Sequence, residues 1–136
     1  MCIRDRPESL SVNSESIRVG SAGSTLVLEQ KFAAYINRAR AGYVGAGGAA
    51  DTWVIDLTGR SPGLLYALGA RQLGQAWMIG GYPGSANLAE AALDLHSCRE
   101  IADAWVLTEP TGPIKISEEI LDNLGCLLYT SDAADE

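Results

Sequence analysis

Apolar positions along this chain follow two rhythms in alternation. Phe32, Tyr35, Ile36, Ala39 and Tyr43 recur at helical spacing with Lys31, Arg38 and Arg40 between them, which predicts an amphipathic helix stopped by the glycines from Gly42 to Gly48. Three continuous runs, Trp53-Val54-Ile55, Ala76-Trp77-Met78-Ile79 and Trp105-Val106-Leu107, have the length and composition of buried strands. Between the first two, the turn from Asp56 to Gly63 leads into a helix carrying Leu64, Leu65 and Leu68. After Gly80 to Gly84 turns the chain, Leu88, Ala91, Ala92 and Leu95 form the stripe of a third helix, with Ser85 as its N-cap. Ser117 caps a last helix: Glu118 and Glu119 suit its positive end, and Ile120, Leu121 and Leu124 its core face. Ahead of these lies a β-prone run, Thr25 to Leu28, preceded by a Ser-, Asn- and Gly-rich flexible lead-in over residues 7–23 that carries at most a short strand at Ile17 to Val19.

Strands alternating with helices at this spacing imply βαβ units, because parallel neighbours need a crossover that packs on a face of the sheet. The expected fold is therefore α/β: a three-layer, doubly wound, Rossmann-like domain over residues 24–125. Its sheet is mainly parallel, of about four strands, with the Trp-led strands central.

Composition agrees with one globular domain: 136 residues, 47% hydrophobic and 20% charged. The balance of 10 Lys+Arg against 17 Asp+Glu gives a net charge of -7, which argues against nucleic acid as a partner, since such a surface needs clustered cations to displace counterions. No apolar run approaches the roughly 18 residues of a membrane span.

Both ends read as translated sequencing adapter. Cys126-Leu127-Leu128-Tyr129-Thr130-Ser131 back-translates to the end sequence of a transposase-based adapter, and Met1-Cys2-Ile3-Arg4-Asp5-Arg6 to its reverse complement. Residues 1–6 and 126–136 are accordingly expected to be scars around a metagenomic insert from a longer bacterial protein, and dispensable for stability. Excluding them leaves Cys98 as the lone cysteine, with no disulfide and too few thiolates for zinc.

Two loops carry candidate chemistry. Asp56-Leu57-Thr58-Gly59-Arg60-Ser61-Pro62-Gly63 combines a carboxylate, two hydroxyls, a guanidinium and a helix N-terminus, a set suited to a phosphate, carboxylate or sugar. The same residues equally suit a structural turn in which Asp56 and Thr58 bond loop N–H groups, Ser61 caps the helix and Arg60 is solvated or pairs with Asp56. Gly80-Gly81-Tyr82-Pro83-Gly84-Ser85 offers close backbone approach and an aromatic lid, or a plain tight turn. Neighbouring parallel strands are expected to bring the two loops into one crevice. The ligand-binding set is thus Asp56, Thr58, Arg60, Ser61, Gly80, Gly81, Tyr82 and Ser85, with no metal and no cofactor expected.

Other signals fail on context. Gly45-Ala46-Gly47-Gly48-Ala49-Ala50 matches a dinucleotide pattern but follows a helix and precedes a strand, the reverse of what pyrophosphate binding requires. His96, the only histidine, is expected to decorate a helix end, and Cys98 to be a half-buried thiol. Glu29 and Glu109 follow strands and suit an acid and a base, although sequence cannot pair them. Trp53, Trp77 and Trp105 read as core or layer-edge packing.

The runs Asp56 to Gly63, Gly80 to Ser85 and Ala104-Trp105-Val106-Leu107-Thr108-Glu109-Pro110 together resemble the soluble C-terminal part of uncharacterised bacterial polytopic membrane proteins of glycosyltransferase-like type. The resemblance implies a non-catalytic domain appended to an envelope membrane protein, tethered on the extracytoplasmic side and in contact with a transmembrane part. The loops by themselves suggest instead a domain that binds, or transfers a group to, a small anionic, nucleotide or sugar ligand.

Overall fold

A computed structural model of the chain describes residues 14–60 and 62–126. The protein is mixed α/β, with two separate sheets among the described residues. The first is an antiparallel hairpin, β1 (Ser14–Val19) and β2 (Ser24–Glu29), closed by the turn from Gly20 to Gly23. Part of the expected lead-in is therefore a strand: Ile17 and Val19 alternate inward and are buried, which fixes the register of the pair. Residues 7–13 lie outside the described part.

The second sheet is parallel, with order β4-β3-β5: β3 (Trp53–Asp56) in the centre, β4 (Arg71–Gln72) on one side and β5 (Trp105–Leu107) on the other. It has three strands, not about four. The run Ala76 to Ile79 is not a strand, because α2 (Pro62–Leu68) is so short that the chain returns to β3 already at Arg71. Gly74 (φ 88°) then turns the backbone away, and Trp77, at φ 68°, is left-handed and 57% exposed. Met78 alone of that run is fully buried.

Two apolar clusters hold the described residues together. Ile17 and Val19 of β1 meet Ala33 and Ile36 of α1 (Gln30–Gly45) and Ala67 of α2. The small Ala33 lets the hairpin come close, so the buried stripe of α1 is narrower than its periodicity predicts, and Phe32 and Tyr35 are left partly outside it. The larger cluster joins Ile55 and Leu57 to Leu73, Met78, and residues of α3 (Ser85–Leu93), α4 (Cys98–Asp103) and α5 (Glu119–Asn123). In α3 the buried face is Ala89, Ala92 and Leu93, rotated from the expected stripe: Leu88 and Leu95 point to solvent. Gly84 at φ 83°, not Ser85, is its N-cap.

Helix α4 lacks an apolar stripe long enough to announce it. A reciprocal cap starts it: Ser97 Oγ accepts from the Glu100 N–H, and the Glu100 carboxylate accepts from the Ser97 N–H. Those bonds hold the Glu100 carboxyl below the usual carboxylate range. At α5 the N-cap is Glu118, not Ser117 as expected; Ser117 lies one residue ahead of it, its Oγ accepting from the Glu119 N–H at 3.3 Å.

Cys98 at the start of α4 is disulfide-bonded to Cys126, just beyond α5. This corrects the expectation of a free thiol in a disulfide-free domain. Cys126 is buried within the larger cluster, so the residue that reads as the first of the C-terminal scar occupies a core position. Residues 1–6 and 127–136 lie outside the described part. Trp53 and Trp77 are exposed rather than core: Arg71 lies over the Trp53 ring, and Trp105 meets Tyr43 edge-on at 5.7 Å between centroids.

Candidate functional site

The chain leaves β3 through an Asx-type turn. Asp56 is 5% exposed and its Oδ1 accepts from the Thr58 N–H at 2.9 Å and the Thr58 hydroxyl at 2.7 Å, while Thr58 Oγ1 accepts from the Arg60 N–H at 3.2 Å. Asp56 and Thr58 are thus committed to shaping the loop, and their task is to hold Arg60 at the carboxyl end of β3. Ser61 lies outside the described residues.

Arg60 pairs with Glu109, two residues beyond β5, and not with Asp56. Its Nε and Nη2 donate to the two carboxylate oxygens at 2.7 and 2.6 Å, a bidentate fork across the ends of adjacent parallel strands. Hydrogen bonding to Glu109 raises the already high pKa of the guanidinium, and the bonds from Arg60 hold the Glu109 carboxyl below the usual range. A carbon-13 NMR titration is expected to show Glu109 titrating below an ordinary glutamate, and Arg60→Ala is expected to move its midpoint upward. An ordinary midpoint in the unsubstituted protein would remove the fork. Because the folded value is depressed, any stability from this pair is present above the unfolded pKa near ~4.3 and is lost as pH falls through the folded one. Both side chains are partly solvated, so that contribution is small.

The fork is one wall of a cleft of about 410 Å³ lined by Phe32, Tyr35, Arg60, Leu64 and Glu109. Phe32 and Tyr35, one helical turn apart on α1, also line it, their rings stacked with centroids 6.1 Å apart and planes 19° from parallel. Glu29 caps that helix, its carboxylate accepting from the N–H groups of Lys31 and Phe32 at 3.3 Å, and it does not line the cleft. Burial pushes the Tyr35 hydroxyl above its ordinary pKa, and the Glu109 carboxylate adds to the rise.

The Gly80 to Ser85 loop takes no part in this cleft. The segment from Pro113 to Ile116 is laid between the two loops as a strap: Ile116 N–H donates to the Leu57 carbonyl at 2.8 Å and Gly80 N–H to the Ile114 carbonyl at 2.7 Å. Gly80 is buried against the strap; Gly81 and Tyr82 are exposed, and Ser85 opens α3 with its N–H donating to the Tyr82 carbonyl. The expectation of one shared crevice fails because nothing in the pattern of residues 110–117 marks them as the piece that fills it. Leu64, which lines the cleft from α2, is buried core as expected, whereas Phe32 and Tyr35, expected in the core stripe of α1, are exposed and half-buried respectively. Their signal is visible only afterwards, as large apolar residues beside a helix stripe that Ala33 and Ile36 already complete.

His96 is not a free surface group: its Nε2 accepts from the Gly74 N–H at 3.3 Å, and its Nδ1 lies 4.0 Å from Glu100. Among the described residues no group of His, Cys, Asp and Glu is arranged to hold a metal ion, and no helix is long and apolar enough to cross a membrane. Comparison with protein-family models, with curated proteins and with solved structures finds no match for this chain.

Proposed function

We propose that this is a non-catalytic domain that binds a small ligand in the cleft between the ends of β3 and β5. The observation that carries the reading is where the cleft lies. From β3 the chain goes through α2 to β4 on one side, then through α3 and α4 to β5 on the other. We read this as a reduced doubly wound sheet, with α1 and α2 on one face and α3 to α5 on the other. In such sheets ligands bind beyond the strand carboxyl ends, where the winding reverses, and here that is the gap bridged by Arg60 and Glu109. The volume is within the range of small-molecule sites, and aromatic walls with few polar groups are the usual lining.

The geometry of the lining supports binding over catalysis: the Glu109 carboxylate is taken up by two bonds from Arg60, which hold its carboxyl below the usual range and away from the neutral pH at which a general acid or base works best. An appended position beside a membrane-embedded partner, on the extracytoplasmic side, is compatible with such a domain and comes from the sequence resemblance alone.

The test is a ligand-observed NMR screen of small polar compounds run against the protein and Arg60→Ala. Binding that vanishes in the variant, while thermal stability changes little, is the expected result. Binding that survives the substitution places the site elsewhere, and a failure to detect any binder at millimolar concentrations removes the proposal.

A further inference from the structure

Granting the cleft as the binding site, we infer that its ligand is an uncharged ring with hydrogen-bonding groups along its rim, and that phosphate and carboxylate are excluded. The residue types at this loop suggest the opposite, because a guanidinium beside a helix N-terminus is an anion trap on paper. Three observations reverse it. Arg60 already has one carboxylate oxygen on Nε and the other on Nη2, so the fork by which a guanidinium best holds an anion is occupied, and an anion that takes it must break two short charge-assisted bonds. Displacing Glu109 does not remove it, so an incoming anion would meet a like charge beside the one guanidinium. Finally, α2 has seven residues and begins with Pro62, which has no N–H to offer, so the helix supplies little of the expected anion cradle.

What remains favours a neutral ring. The stacked Phe32 and Tyr35 rings give the cleft an aromatic, apolar lining of the kind that packs against the C–H groups of a sugar ring or against a nucleobase. In the same cleft the fork presents donor and acceptor side by side: a guanidinium has five N–H groups and a carboxylate about four lone-pair positions, more than two mutual bonds consume. A ring edge with adjacent donor and acceptor, whether vicinal hydroxyls or the polar edge of a base, matches that pairing without separating it.

Five probes distinguish the outcomes, each followed by amide and side-chain shifts of the cleft residues: methyl glucopyranoside, adenine, glucose 6-phosphate, adenosine monophosphate and inorganic phosphate. A neutral probe is expected to bind, the one that does identifying the ring as sugar or base, and its phosphorylated counterpart is expected to bind about tenfold more weakly or not at all, a difference of about 1.4 kcal/mol. Glu109→Gln keeps a hydrogen-bonding group in place while removing the competing charge. It is expected to narrow or reverse that preference, with a melting temperature close to the unsubstituted protein's as the control for folding. Tighter binding of inorganic phosphate or of either phosphorylated probe by the unsubstituted protein overturns the ligand class while leaving the site intact. Silence of the cleft residues to all five overturns the class and the site together.

Discussion

Gly59→Ala is expected to cost about 3 kcal/mol or more, a large share of the roughly 5–15 kcal/mol that holds a domain of this size together. Gly59 has φ 68°, where a side chain is strained by about 1 kcal/mol or more, and a Cβ there would lie 2.0 Å from the Ile114 carbonyl oxygen. The obstacle is backbone, so relief requires the strap to move. Moving it breaks the Gly80 N–H bond to Ile114 and the Ile116 N–H bond to Leu57, each worth about 1 kcal/mol and more if left unsatisfied. Gly80→Ala meets the strap from the other side, 1.9 Å from the Lys115 carbonyl oxygen, and is expected to be comparably damaging. Gly81→Ala is the internal control. It also has positive φ (87°), but its nearest neighbour is 3.5 Å away, so only the backbone strain is expected. Chemical denaturation of the three variants checks the ordering; equal losses at all three would mean the strap is not wedged between the loops.

Reducing the Cys98–Cys126 bond, or replacing Cys126 by serine, is expected to lower stability by about 3 kcal/mol. The two residues are 28 apart, and closing a loop of that span restricts the unfolded chain by about 3.5 kcal/mol on the chain-entropy account. In a thermal melt this corresponds to a fall of roughly 10 °C. A chain ending at Gly125 is expected to lose as much. That outcome sets the buried position of Cys126 against its reading as translated adapter, which implies a loss below about 1 kcal/mol. Equal melting curves for the full and shortened chains would show that the bond and the buried sulfur contribute nothing.

The sequence conveys most reliably what depends on continuous local pattern. The β3 and β5 strands, the long α1 helix and the parallel direction of the sheet are legible in the apolar runs and the glycines between them. The pattern misleads where one residue decides. An expected strand at Ala76 to Ile79 fails because Gly74 and Trp77 take left-handed backbone, and apolar content alone cannot distinguish a strand from a buried turn. Helix α4 was legible in the Ser97-to-Glu100 spacing of a capping box, a signal hidden by the absence of an apolar stripe around it.

At the site, Arg60 and its loop are local and therefore visible. Its partner is not: Glu109 is 49 residues away, and only the crossing from β4 to β5 brings it within reach. The same holds for Tyr35, whose face is decided by which residues of the hairpin pack on α1. Long-range pairing of this kind leaves no imprint on spacing, which is why Asp56, the nearest carboxylate in sequence, is the partner that pattern alone suggests.

The cleft lined by Phe32, Tyr35, Arg60, Leu64 and Glu109 is the proposed ligand site. The most direct measurement is a map of backbone and side-chain NMR shifts across the whole protein as the tightest-binding compound is titrated in. Shifts confined to those five residues and the Asp56 to Arg60 turn are predicted, saturating together with one affinity. Saturable shifts centred instead on the Gly80 to Ser85 loop, or on the exposed Trp77 and Leu88, with the five cleft residues unmoved, would contradict it.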